Sequence, residues 1–146
     1  MREVELNKKY QISRSAELES LKDFREYTKL VCKSHQHIQD HIVYDLMLAV
    51  DEACTNIITH GYAGKKSGTI ILTLLPEKDR IVILITDFGH TFEPSQAPVP
   101  DVNAGLNERP IGGFGLYLIN KTMDFVDYQS NTYGNRLKLI KDLNSH

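Results

Sequence analysis

The stretch DEACTNIITHGY, residues 51–62, sets two adjacent acids, an amide and a histidine in one short segment of helical texture. Glu52 and Asn56 are four residues apart, so on a helix they stand side by side, about 6 Å apart along the axis. A carboxylate in that place can accept a proton, and an amide oxygen can hold a hard cation. The same pair is also what the wet side of any amphipathic helix shows; what sets it apart is its company. DFGHTFEP, residues 87–94, follows directly on an apolar run. An aspartate buried at the end of such a strand must find donors or lose several kcal/mol. The exocyclic amine of an adenine is one such donor, and Gly89 lets a flat base approach the backbone. IGGFGLYLIN, residues 111–120, places Gly112, Gly113 and Gly115 in front of a helix, where free backbone N–H groups make an anion site. Taken singly, the first of these is a common turn and the second a common helix start.

These groups need elements to carry them. Residues 3–12 alternate through Val4, Leu6, Tyr10 and Ile12, which predicts a half-exposed first strand. Ser15 is placed to cap a helix whose first turn carries Glu17 and Glu19, and Leu18, Leu21, Phe24 and Val31 continue it to about Cys32. KSHQHIQDH is a polar connection. A second helix is expected from about Ile42 to His60, with Gly61 as its stop. Val43, Leu46, Met47, Val50, Cys54, Ile57 and Ile58 form its apolar stripe, which puts Glu52 and Asn56 nearly opposite the core.

TIILTLLPEKDRIVILITDFG predicts a β-hairpin turning at PEKD. EPSQAPVPDVNAGLNERP holds four of the five prolines and almost no large apolar residue. It is no buried element, and a loop of this length in a compact domain is usually functional or disordered. It lies between the two nucleotide-like motifs, where a lid would be, at about residues 93–111. A helix follows the glycines with Leu116, Ile119 and Met123 on one face, and DFVDYQSN and NRLKLIKDL close the chain as two strands about Gly134. The order β-α-α-β-β-loop-α-β-β predicts an α+β fold, a two-layer sandwich with helices on one face of a mixed, mostly antiparallel sheet.

A length of 146 residues with 41% hydrophobic and 25% charged residues suits one globular domain spanning residues 1–146. The net charge of -2 and the scattered basic residues give no footprint for nucleic acid or an anionic membrane. The first residues are too polar for a signal peptide and no apolar run reaches the roughly 20 residues of a membrane span, so a cytoplasmic protein is expected. Cys32 and Cys54 fit buried free thiols of a reducing compartment.

DEACTNIITHGY, DFGHTFEP and GGFGLYLINKTMDFVDY, in that order, resemble the three nucleotide-binding boxes of the ATPase superfamily that unites gyrase, the Hsp90 chaperone, histidine kinases and MutL. Within it the chain is similar to the small serine/threonine kinases that act as bacterial anti-sigma factors, from about Val4 to Lys141. The resemblance implies the Bergerat ATP-binding fold, with ATP and Mg²⁺ as ligands. It implies that Glu52 orients or deprotonates the attacking hydroxyl, Asn56 holds Mg²⁺, and Asp87 beside Gly89 recognises adenine. Gly112, Gly113 and Gly115 match the turn that faces the phosphates, and Arg109 at the end of the lid is a candidate for the terminal phosphate. Arg25 corresponds roughly to an arginine used for partner contact, beside the plainer alternative of a solvated surface residue. Asp51 ranks as a helix-surface acid. The partners implied are an anti-sigma factor antagonist as phosphorylation substrate and a sigma factor or analogous target, with the kinase as a homodimer.

Two features depart from that pattern. Many members of the superfamily carry a threonine in the last strand that supports the adenine site, whereas GNRLKLIK offers Asn135 and Lys138. His35, His37 and His41 make an H-x-H-x₃-H run that suggests zinc, but only Asp40 could add a ligand, and a solvated loop is the expectation. His60 fits a helix-end residue facing the C-terminal dipole. A different class stays open beside the kinase: a non-catalytic module in which ATP orders the lid and a partner surface. A detached histidine-kinase catalytic domain would need a dimerising helical hairpin for which no residues remain.

Overall fold

The computed structural model describes residues 8–62, 68–89 and 113–144, with the backbone alone for residues 113–117. The elements are β1 (Tyr10–Ser15), α1 (Leu21–Lys33), α2 (Asp40–Asn56), β2 (Thr69–Pro76), β3 (Arg80–Asp87), α3 (Gly113–Thr122), β4 (Phe125–Asn131) and β5 (Gly134–Asp142). The five strands form one sheet in the order β1-β2-β3-β5-β4. Among the described residues all its pairings are antiparallel, in keeping with the mostly antiparallel sheet expected from the sequence. Every described strand reaches its neighbour through a hairpin or from outside the row, and no parallel crossover arises among them.

Alternation explains which face is covered. Ile70, Leu72 and Leu74 on β2, Ile81, Ile83 and Ile85 on β3, and Leu139 on β5 are fully buried and share one face. Phe24, Leu46, Val50 and Cys54 of α1 and α2 join them in a single core. The helices therefore lie on that face, in an α+β sandwich, as expected. Among the described residues no helix is long and apolar enough to cross a membrane.

Two boundaries differ from the sequence expectation. Ser15 still pairs with Thr69 in the β1–β2 ladder, so it cannot cap a helix; a 3₁₀ turn at Leu18–Ser20 intervenes and α1 begins at Leu21. Leu18 is consequently 60% exposed and lies outside the stripe it was expected to head. At the other end, α2 is α-helical only to Asn56 and continues as a π-helical turn over Ile57–Gly61. Such turns are rare and widen the helix by one residue, often where a functional side chain must be re-aimed.

The histidine run does not gather as a metal site; His37 and His41 are exposed, as a solvated loop implies, and only His35 turns inward. His35 is buried, with Nδ1 2.9 Å from the carbonyl of Val31 and its ring edge-on to Tyr10 and His37. His37 Nε2 lies 3.0 Å from the carbonyl of Glu77, and His41 is exposed. Among the described residues no three of His, Cys, Asp or Glu come together as a metal site.

Candidate functional site

Asn56 is the first surprise of the site. It was expected nearly opposite the core, yet it is 3% exposed. The buried side of α2 runs from Ile42, Val43, Leu46 and Val50 through Ala49 and Ala53 to Asn56. Two alanines carry little apolar weight in a periodicity, so the true arc is turned by about 60° from the one the large residues define. The Asn56 amide ends in that interior with neither Oδ1 nor Nδ2 hydrogen-bonded among the described residues. Leaving such a group unpaired costs about 1–3 kcal/mol, and native folds rarely tolerate it without a ligand or a role.

Glu52, one turn earlier, is half-buried. Burial first, and the neighbouring carboxylate of Asp51 second, push its carboxyl above the ordinary range. Asp51 is not the bare surface acid expected: its Oδ1 accepts a 2.7 Å ion-paired hydrogen bond from Arg25 of α1. Arg25, whose side chain stays partly exposed, uses this ion pair to tie α1 to α2 beside Glu52. His60 stands in the last turn of the helical segment, half-buried.

Asp87 closes β3 and is 4% exposed. The Gly89 N–H donates to its Oδ1 at 2.9 Å and the Asn135 Nδ2 donates to the same oxygen at 3.0 Å. Asn135 also donates to the carbonyl of Gly89 at 3.0 Å, and its own Oδ1 accepts from Ser130 Oγ at 2.6 Å. The register explains this: Asp87 pairs directly with Asn135 across β3 and β5. The position where the last strand lacks a threonine is thus filled by an amide that grips the aspartate.

Tyr62, just past the π turn, ties this segment to α2. Its hydroxyl accepts from the Phe88 N–H at 3.0 Å and donates to the carbonyl of Thr69 at 3.1 Å. A Cβ on Gly89 would overlap the carbonyl of Gly61, so the two backbones touch there. On the other side Gly134, at φ 152°, leaves room for the carbonyl of Asp87 and the ring of Phe88. The end of β3 is therefore gripped between the end of α2 and the start of β5. Burial first, and then the carboxylates of Asp51 and Asp87, push the thiol of Cys54 up. Burial raises the Cys32 thiol to about 12, and both cysteines are free and buried, as expected.

α3 packs against α2. Gly113 and Gly115 lie inside its first turn rather than in a turn ahead of it. Backbone N–H groups of a first helical turn have no intrahelical acceptor, so the anion-binding capacity moves into the helix terminus itself. Gly112, Arg109 and the lid at about 93–111 lie outside the described residues. Sequence reasoning missed Tyr62 and the grip of Asn135. Counting the register back from the β4–β5 turn pairs Asn135 only with Ser130; its place opposite Asp87 comes from the long-range pairing of β3 with β5, and nothing local marks Tyr62.

The family described as histidine kinase-like ATPase domain matches residues 14–141. Similar curated relatives include the serine-protein kinase RsbW of Bacillus pumilus, 35% identical over 70% of this chain and 66% of its own length. RsbW of Halalkalibacterium halodurans is 35% identical over 62% of this chain and 57% of its own length. The serine/threonine-protein kinase BtrW of Bordetella bronchiseptica is 32% identical over 66% of this chain and 68% of its own length. The chain spans just under two thirds, or less, of the RsbW relatives it matches. With the matched family covering nearly the whole sheet and all three helices, the chain belongs to the histidine kinase-like ATPase domains.

Proposed function

We propose that this protein is an ATP-dependent serine/threonine protein kinase of a partner-switching circuit, with Glu52 as its general base and Asn56 as its Mg²⁺ ligand. The observation that carries the reading is the buried amide of Asn56 with both polar atoms unpartnered, one turn from a carboxylate whose proton affinity is raised. An amide oxygen suits Mg²⁺, a hard cation that takes oxygen ligands and keeps water and phosphate as the remainder of its shell. When bound, Mg²⁺ supplies charge neutralisation on the phosphate oxygens.

The residues of the chain do the rest. Asp87 accepts a hydrogen bond from the exocyclic amine of adenine, beside Gly89. The first-turn N–H groups of α3, those of Gly113 and Gly115 among them, face the phosphates together with Gly112, and Arg109 approaches the terminal phosphate from the lid. Glu52 takes the proton of a serine or threonine hydroxyl on a partner protein. That oxygen bonds to the γ-phosphorus as the bond to the bridging oxygen breaks, and ADP leaves with the electron pair. A carboxyl raised toward neutrality suits such a base, since proton transfer is most efficient when the pKa approaches the working pH. By resemblance, the substrate is an anti-sigma factor antagonist, the second partner is a sigma factor or analogous target, and the kinase is a homodimer. The relatives named serine-protein kinase support the reaction class.

The test is Glu52→Ala with labelled Mg-ATP and candidate small antagonist proteins. Phosphoserine formation should fall by about 10²–10⁴-fold, the usual weight of a general base, while ATP binding persists. Transfer unchanged in the variant removes Glu52 from the mechanism. Tight ATP binding with no transfer by the wild-type protein to any serine-bearing antagonist would leave the non-catalytic module as the better description.

A further inference from the structure

Asp87 has two chemically equivalent oxygens, but its surroundings treat them differently. Oδ1 receives both Gly89 N–H and Asn135 Nδ2, while Oδ2 receives no hydrogen bond among the described residues. Asn135 is held in turn: its Oδ1 accepts from Ser130 Oγ at 2.6 Å, which fixes which end of the amide faces Asp87. The amide then spans Asp87 and the Gly89 carbonyl with one nitrogen. From the α2 side, Tyr62 pins the Phe88 N–H between those two residues. The three-residue segment is thus fixed at its side chain by Asn135 and along its backbone by Tyr62, which belong to different elements and are both buried.

We propose that Asn135 and Tyr62 are positioning residues that make the site selective for adenine over guanine. Asn135 saturates Oδ1 and so turns Oδ2 toward the base as an acceptor without a donor of its own. Tyr62 holds the Phe88–Gly89 backbone at the height where a flat ring meets that acceptor. Adenine presents an amine donor at the position where guanine presents a carbonyl acceptor. A carboxylate oxygen that cannot rotate away meets the first with a hydrogen bond and the second with lone-pair repulsion. A carboxylate free to rotate, or a backbone free to shift, relaxes both. This inference rests on Asp87 as the base-reading residue, as proposed above.

The test is the affinity for Mg-ATP and for Mg-GTP of the wild-type protein, Asn135→Ala, Tyr62→Phe, Ser130→Ala and Asp87→Asn, by titration calorimetry. Asn135→Ala and Tyr62→Phe are each expected to reduce the ATP-over-GTP preference about tenfold, the usual weight of one buried hydrogen bond in discrimination. Affinity for GTP should hold or rise, since the repulsion of guanine is relieved. Ser130→Ala, at an exposed residue, should fold normally and reduce the preference by a smaller factor, about threefold, since it loosens Asn135 without removing it. A merely structural role weakens both nucleotides together, so equal losses, or an unchanged preference in Tyr62→Phe and Ser130→Ala, overturn the proposal. Asp87→Asn separates the two levels. If it abolishes the preference while the other variants keep it, only the positioning role fails. If it too keeps the wild-type preference, Asp87 does not read the base and both readings fall.

Discussion

At the scale of single residues, two polar side chains on one helix lie where burial opposes them. Asn56 holds an amide in the interior without a partner among the described residues, and Glu52 holds a carboxyl pushed up by burial and then by Asp51. The second has a pH signature with a definite sign. Between the unfolded and the raised folded value, the native state keeps a proton that the unfolded chain has released, so stability falls as pH rises through that window. Below the unfolded value, near 4.3, both states are protonated and the penalty is absent. Glu52→Gln should therefore raise the melting temperature at pH 7 and leave it nearly unchanged below pH 4, as thermal unfolding at the two pH values would show. The same variant should abolish transfer, a trade between stability and activity common at reaction sites. In the wild type, transfer should increase as pH rises through the raised value, because only the ionised carboxylate accepts a proton. The pair itself was legible in the sequence from its spacing, but its burial was not. Large apolar residues dominate a hydrophobic period, and the small Ala49 and Ala53, which extend the buried side to Asn56, barely register in it.

At the scale of elements, the site depends on two junctions where backbones meet. The π-helical turn Ile57–Gly61 delivers the Gly61 carbonyl against Gly89, and Gly134 delivers β5 beneath Asp87. Gly89→Ala forces one of two backbones to move, and overpacking of this kind costs about 1–3 kcal/mol. Chemical denaturation should show that loss as a lower midpoint at unchanged slope, and nucleotide affinity should fall with it, because the displaced backbone carries Asp87. An unchanged midpoint would mean that the junction yields freely. The strands and the second helix were legible as apolar runs and periods, since those patterns report burial directly. The start of α1 was not: Ser15 is a plausible cap by residue type, but its pairing with Thr69, far along the chain, holds it in the sheet. Long-range pairing also sets the order of the described strands and makes each pair of neighbours antiparallel. Gly89 illustrates how two reasons can share one residue; the sequence suggested room for a base, and the fold needs room for Gly61.

At the scale of the whole molecule, the sheet brings the end of β3 and the start of β5 together, and the helix layer sets α2 between α1 and α3. The pair proposed for base and cation shares one turn of α2, whereas the aspartate proposed for adenine ends β3, and packing joins the two segments. Three short motifs in the right order were enough to recognise the family, whereas the contacts that brace the site, Asn135 on Asp87 and Tyr62 on Phe88, emerge only from tertiary pairing. The central claim is that the fold keeps the Asn56 amide buried and unsatisfied because a Mg²⁺-bound nucleotide completes it. Asn56→Leu, which replaces the amide by an apolar group of similar volume, tests it by calorimetric titration of ATP with Mg²⁺ and with a chelator, alongside a thermal melt without nucleotide. The account predicts Mg²⁺-dependent ATP binding by the wild type, its loss in the variant, and a nucleotide-free variant that melts at or above the wild-type temperature. A variant that binds Mg-ATP as tightly as the wild type would contradict it.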